Sequence, residues 1–245
     1  MILGDWLAAQ PFGLAMSSGF FSFYAHTGML AALVERGLAP SHVAGSSAGA
    51  LVGGAWAAGL APDHLADVLL RLERADFWDP APGLGLLKGQ RFDRLLREML
   101  PVDRLEAGRV PMQISVFDIV RRRTEVLRRG DLPVAIRASC AVPGLFHPVW
   151  IGKKPYWDGG ILDRPGIAGI ADGERLLFHH IASRSSWRAA DQVPPRRREM
   201  TTLVLEDLPR SGPTRLDAGR RALAMAREAT RRALDRPIAA GVVTV

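Results

Sequence analysis

Gly45-Ser46-Ser47-Ala48-Gly49 sets a serine between two glycines, where a short apolar run gives way to an alanine-rich helix former. The string is G-x-S-x-G, which in a strand–turn–helix setting forms a tight elbow that pushes the central hydroxyl away from the backbone. Gly45 and Gly49 lack side chains, so chain and substrate can approach Ser47, and the N–H groups opening the next helix, from Ala48 on, favour developing negative charge. Two readings stand together: a nucleophile at Ser47, or a Gly/Ala/Ser helix packed closely on a sheet. A serine nucleophile needs a base. His147, His179 and His180 follow it in the order that hydrolases with this elbow use. His179 and His180 lie in the apolar run Leu176 to Ile181, where consecutive side chains point to opposite faces. Asp158, in Tyr156-Trp157-Asp158-Gly159-Gly160, is the other candidate, although Asp-Gly is also a turn signal.

The elements that must position these groups are legible from pattern. Phe12 to Met16 is a short buried strand bounded by Pro11 and Ser17-Ser18-Gly19. A helix over His26 to Arg36, a strand over Ser41 to Gly45 and a helix over Ala48 to Ala58 follow, the helices stopped by Gly37 and Gly59. This strand–helix alternation predicts a layered α/β fold with parallel strands. Further helices are expected over Pro62 to Leu72 and Phe92 to Leu100, separated by a loop from Asp79 to Gly89. Strands are expected over Met112 to Phe117, Thr124 to Leu127, Phe146 to Ile151, Leu176 to Ile181 and Thr201 to Leu205. Gln192 to Glu199 reads as a solvated loop, and Thr214-Arg215-Leu216-Asp217 as a capping box opening a helix to about Leu234. No repeat or linker divides the chain. The expectation is one domain over residues 12–172, with residues 173–245 completing or extending it.

Bulk composition narrows the class. With 245 residues, 48% of them apolar, the chain can bury a sizeable core and is not disordered. Its one cysteine, Cys140, excludes an internal disulfide framework and a cysteine-based zinc site, and it reads as inert. No metal and no cofactor is called for. The net charge of +7 is carried almost wholly by arginine, since Lys88, Lys153 and Lys154 are the only lysines. A basic surface favours anionic partners, but no zinc-finger, RNA-recognition or basic-zipper pattern is present, so no nucleic-acid partner is expected. Arg121 to Arg123 and Arg128-Arg129 read as solvated turns that could face lipid phosphates, and the basic helix after Leu216 as a surface helix able to rest on an anionic membrane. The uncharged runs Trp6 to Val34 and Val43 to Pro62 exceed the ~20 residues of a spanning helix. Pro, Gly and Ser interrupt them, so both read as buried core. Asp5 stands where a secretory signal would carry a basic start. The expectation is a cytoplasmic protein, soluble or peripheral to a membrane, of undetermined oligomeric state.

Taken in order, these pieces resemble the patatin-like phospholipase family from about Phe12 to Pro165. The matching features are Ala25 to Leu30 after the first strand, the Gly45 to Gly49 elbow, and Gly85 to Arg91. Ala135 to Val149 and the Asp158-Gly159-Gly160 element complete the set. The resemblance implies a three-layer α/β/α fold with a mainly parallel sheet, and a Ser47–Asp158 dyad without an intervening histidine. It also implies an acyl-enzyme on Ser47 and lipid acyl esters as substrates, phospholipid or lysophospholipid. The chain departs from the pattern at the oxyanion loop, G-G-G-x-[RK]-G in the family and Ser18-Gly19-Phe20-Phe21-Ser22-Phe23 here. Gly19 and Phe20 remain as backbone donors, with Ala48 at the helix start, and Phe20, Phe21, Phe23 and Tyr24 either line an acyl channel or pack in the core. Two alternatives stay open: a Ser-His-Asp esterase using His179 or His180, and a non-catalytic lipid binder on the same scaffold.

Overall fold

The computed structural model describes residues 1–182 and 194–245. Its first half runs α1 (Leu3–Ala9), β1 (Gly13–Met16), α2 (Phe23–Glu35), β2 (His42–Ser46), α3 (Ala48–Ala57), α4 (Pro62–Arg71), β3 (Gly85–Leu87), α5 (Gln90–Met99) and β4 (Met112–Asp118). Then follow β5 (Arg123–Leu127), α6 (Leu132–Ser139), β6 (Gly144–Phe146), β7 (Val149–Ile151), β8 (Lys154–Asp158), β9 (Leu176–His180), β10 (Met200–Val204), α7 (Leu216–Leu234) and β11 (Val242–Thr244). The class is α/β. Among the described residues nine strands form one sheet in the order β11-β10-β9-β1-β2-β4-β8-β7, with β5 on the other side of β4.

The core of that sheet, from β11 to β4, is parallel throughout, and β5, β8 and β7 add antiparallel pairs. Side chains alternate across it as a pleated strand requires. Leu14, Met16, Val43, Ile114 and Leu177 join the large cluster that includes α2, α3, α6 and α7. Ala15, Ala44, Leu176 and Phe178 point the other way, onto Ile167, Ile170 and Met200. Strand β9 pairs with β1, so the last third of the chain is built into the same sheet. Helix α7 packs on α2 so closely that a Cβ on Gly28 would lie 2.1 Å from the Leu223 carbonyl oxygen.

Three local expectations are corrected. The run from Phe146 to Ile151 is two strands: His147 N–H donates to Leu87, Pro148 has no N–H to offer, and β6 pairs with β3 while β7 pairs with β8. The loop from Asp79 to Gly89 thus contains strand β3. Thr214 to Asp217 forms no capping box; Arg215 is the N-cap without a side-chain bond, and Asp217 accepts from Arg221 at 2.9 Å instead. On α7, Arg227 and Arg231 pair with Glu35 and Arg220 donates to the Leu72 carbonyl at 3.1 Å, while Arg221, Arg231 and Arg232 keep half or more of their side chains exposed, as a surface helix does. Of the loop expected over Gln192 to Glu199, residues 192 and 193 lie outside the described residues, and 194–199 carries no helix or strand.

Strand β4 positions the site. Residues Met112 to Ser115 pair with β2, and Val116 to Asp118 pair with β8, while β5 occupies the opposite edge. Strands β2 and β8 therefore approach each other head-on along one edge of β4. Ser46 lies opposite Ser115 and Asp158 opposite Val116. A residue just past the end of β2 must meet the end of β8.

Candidate active site

Ser47 is the residue just past that end. Its backbone sits at φ 52°, ψ −116°, a sparsely populated conformation for a residue with a side chain, with strain of ~1–3 kcal/mol. Neighbouring bonds hold it there. Its N–H donates to Ser139 Oγ at 2.8 Å, and Ser139 Oγ–H donates to the Ser115 carbonyl at 2.7 Å. The elbow thereby presents the Ser47 hydroxyl to Asp158, with Oγ donating to Oδ2 at 2.7 Å. The other carboxylate oxygen accepts the Gly160 N–H at 2.7 Å, which fixes the carboxylate plane. Ser47 and Asp158 are 9% and 5% exposed, so the pair meets in a largely desolvated place that still opens on a cavity.

That cavity is about 390 Å³, within the range of small-molecule sites. Ser47, Asp158, Gly160 and Ser18 meet at its polar head, and Gly19, Phe20 and Ala48 also line it. Its body is apolar: Leu69 and Leu72 around the end of α4, Phe92, Leu95 and Met99 from α5, and Phe77 between them. Phe20, Phe21 and Phe23 line it as well. Tyr24 does not; it is fully buried, donates to the Leu69 carbonyl at 3.3 Å and lies against Gly219. In the loop that departs from the glycine-rich pattern, Phe21 takes φ 57°. The left-handed turn that glycine adopts readily is thus made here by an aromatic residue. Gly19, Phe20 and Ala48 all line the cavity, while Gly45 and Gly49 close the strand-to-helix turn behind Ser47.

The histidines lie elsewhere. His147 Nε2 reaches the Ala81 carbonyl at 2.7 Å. His179 is fully buried on β9, with Nδ1 2.8 Å from Nδ1 of His26, whose Nε2 is 2.8 Å from the Ser17 carbonyl. A carbonyl only accepts, so His26 Nε2 carries the proton and its Nδ1 accepts from His179. His180, 3% exposed, packs its ring against Phe178 on the other face of β9. Ser47 is hydrogen-bonded to an aspartate, not to a histidine.

The histidine pair has a measurable consequence. Burial lowers the His26 pKa to about 4 against an opposing bond to Ser17, and burial with the neighbouring His26 and His180 takes His179 well below its ordinary value. Both stay neutral in the folded chain while the unfolded chain takes up protons below about pH 6.5. The pair's contribution to stability is therefore flat above that pH and lost as pH falls toward 4. At pH 5 the loss from His26 is about 2 kcal/mol, with His179 adding to it. Urea midpoints at pH 7 and pH 5 measure this; equal midpoints would contradict neutral burial of the pair.

One contact that holds the site escaped the sequence. Ser139 orients the elbow, and it sits in helix α6, whose N-terminal signal was readable: Asp131 caps it by accepting from Val134, with Pro133 in the first turn. Ser18 lines the cavity head beside Gly160. Cys140 also lines the cavity; burial and the charge of Asp158 push its thiol well above the usual range, so it stays protonated. Among the described residues no group of three or more His, Cys, Asp or Glu is placed to hold a metal ion. No described helix is long and apolar enough to cross a membrane.

Fold and site together define an α/β protein with a mainly parallel sheet, whose elbow serine is hydrogen-bonded to an aspartate at the head of an apolar cavity. The model of the patatin-like phospholipase family matches residues 14–169, and the chain belongs to that family. An uncharacterized NTE family protein of Mycobacterium bovis is 35% identical over 161 residues, 64% of this chain and 45% of that protein. The lysophospholipase NTE1 of Mycosarcoma maydis is 28% identical over 183 residues, 70% of this chain and 10% of that protein. The chain thus spans less than half the length of these relatives. Among solved structures, VipD from Legionella pneumophila shares the fold, with a TM-score of 0.56, 15% identity, and cover of 92% of this chain and 67% of that one.

Proposed function

We propose that the protein is a serine acyl-ester hydrolase acting on lipids, phospholipid or lysophospholipid, through Ser47 and Asp158. The observation that carries this reading is the 2.7 Å bond from Ser47 Oγ to Asp158 Oδ2 at the head of an apolar cavity of about 390 Å³. Asp158 takes the hydroxyl proton as Ser47 Oγ attacks the ester carbonyl, then hands it to the leaving alcohol. A water, deprotonated by the same carboxylate, attacks the acyl-serine; the acyl–Oγ bond breaks, Asp158 returns the proton to Ser47 Oγ, and the acid is freed. An aspartate is a weak base, with an ordinary pKa of about 3.9, so much of the acceleration rests on stabilising the oxyanion. Gly19, Phe20 and Ala48 are the residues whose N–H groups supply that stabilisation, assisted by the N-terminus of α3. The cavity walls hold the acyl chain; family membership and a lysophospholipase among the relatives support a lipid ester as substrate.

The test is reaction with an activated fluorophosphonate. A single adduct on Ser47, located by peptide mass spectrometry, is expected together with hydrolysis of lysophospholipid. Hydrolysis without an adduct on Ser47 would remove the nucleophile assignment. An inert protein that still binds lipid saturably would make it a binder on the same scaffold.

A further inference from the structure

The carboxyl end of the sheet, where Ser47 and Asp158 sit, carries two neighbouring turns that the site does not use. Strand β4 runs three residues past Ser115, the partner of Ser46, to Asp118, so its tip stands about 10 Å beyond the elbow. The β4–β5 turn, Ile119 to Arg122, crowns that tip. The β7–β8 turn, Gly152-Lys153, lies beside it, because β8 pairs antiparallel with β4 and the Ile119 N–H donates to the Pro155 carbonyl at 3.3 Å.

The chemistry of the two turns is uniform. Arg121, Arg122, Arg123, Lys153 and Lys154 gather there, and the anions nearby are Asp118, buried beneath Arg121, and Glu125, paired with Lys154. Among the described residues Arg122, Arg123 and Lys153 enter no ion pair. Amid these cations stand two apolar side chains turned to solvent, Val120 at 73% and Trp150 at 60% exposure. Trp150 is level with Pro155, on the same tip. Farther along this end of the sheet, Phe20 and Ile161, which line the cavity, are 55% and 39% exposed, and the adjacent Leu162 is 58% exposed.

Cations around an exposed tryptophan and an aliphatic tip match the layered chemistry of an anionic bilayer surface, phosphate above and acyl chain below. Nucleic acid would use the cations but leave Val120 and Leu162 without a role. We infer that the paired turns at Val120 and Lys153 dock the protein onto an anionic phospholipid surface, presenting the cavity to the membrane plane. The inference takes its purpose from the lipid-ester reading, but docking is measured without turnover.

The experiment is sedimentation with vesicles of equimolar phosphatidylglycerol and phosphatidylcholine, compared with phosphatidylcholine alone. The wild-type chain binds the anionic vesicles, and the binding weakens as salt rises. Arg122→Ala with Lys153→Ala lowers the partition coefficient roughly 30-fold, about fivefold for each charge. Val120→Asp lowers it about tenfold or more through lost insertion. Each variant keeps the wild-type melting temperature and the wild-type rate on a water-soluble short-chain ester. Equal binding to both vesicle types, wild-type partitioning by both variants, or retention on duplex DNA without vesicle binding would each overturn the inference. If the chain proves to have no esterase activity, the vesicle comparison still decides the docking question.

Discussion

Asp158→Asn is expected to lower kcat by about 10³- to 10⁴-fold while KM stays within about threefold. The two side chains have the same shape, and asparagine keeps an oxygen for the Gly160 N–H that now binds Asp158 Oδ1 at 2.7 Å. Its NH₂ group faces Ser47 and donates where the carboxylate accepted, so the hydroxyl proton has nowhere to go. Ser47→Ala removes the attacked atom's partner outright and should lose at least as much. Because both act on one proton transfer, the double variant should be no worse than the poorer single one within about tenfold. Turnover of a water-soluble ester by all three variants, with unchanged melting curves, is the measurement. Losses that multiply would mean that the two residues act in separate steps, and an active Asp158→Asn protein would hand the base role to another group.

The second large effect concerns Gly49. A Cβ at this position would lie 2.0 Å from the Met16 carbonyl oxygen and 2.6 Å from its carbon, where helix α3 passes over β1. Backbone at the centre of a parallel sheet cannot give way, so Gly49→Ala should cost more than about 3 kcal/mol and leave little folded protein at 37 °C. Gly53, one turn further along α3, is the internal control. A Cβ there meets the flexible ends of Met112 and Met16 at 3.1 and 3.3 Å, and alanine is the better helix former by about 1 kcal/mol. Gly53→Ala should thus change stability by no more than about 1 kcal/mol in either direction. Urea denaturation of the two variants checks the pair; equal stability would mean that α3 is free to slide on the sheet.

The same close packing shapes the Gly45 to Gly49 motif. Its glycines serve packing and hydroxyl placement at once, since the close approach of α3 to β1 and β2 is what allows Ser47 to take φ 52° at the strand end. Close packing of Gly45 to Gly49 and the placement of the Ser47 hydroxyl beside Asp158 are therefore not alternatives. Packing builds the elbow, and the elbow places the hydroxyl.

Local pattern alone determined the α/β class, the order β1-α2-β2-α3 and the elbow at Ser47, because each rests on short-range periodicity and turn chemistry; it missed α1, which precedes them. The ordered motifs added the pairing of Ser47 with Asp158 as an expectation. Only the tertiary structure decided how residues 111 apart meet: β2 and β8 share one edge of β4 and converge on it, a register that no local pattern encodes. Tertiary contacts also turned Ser139 into the support of the elbow and closed the His26–His179 pair, and both depend on neighbouring strands and helices. They buried Tyr24 while leaving Phe20, Phe21 and Phe23 on the cavity, although all four aromatics read alike along the chain. Residue type and spacing say which groups are able to do chemistry. Which of them meet is set by strand register and by which face of each element the core covers.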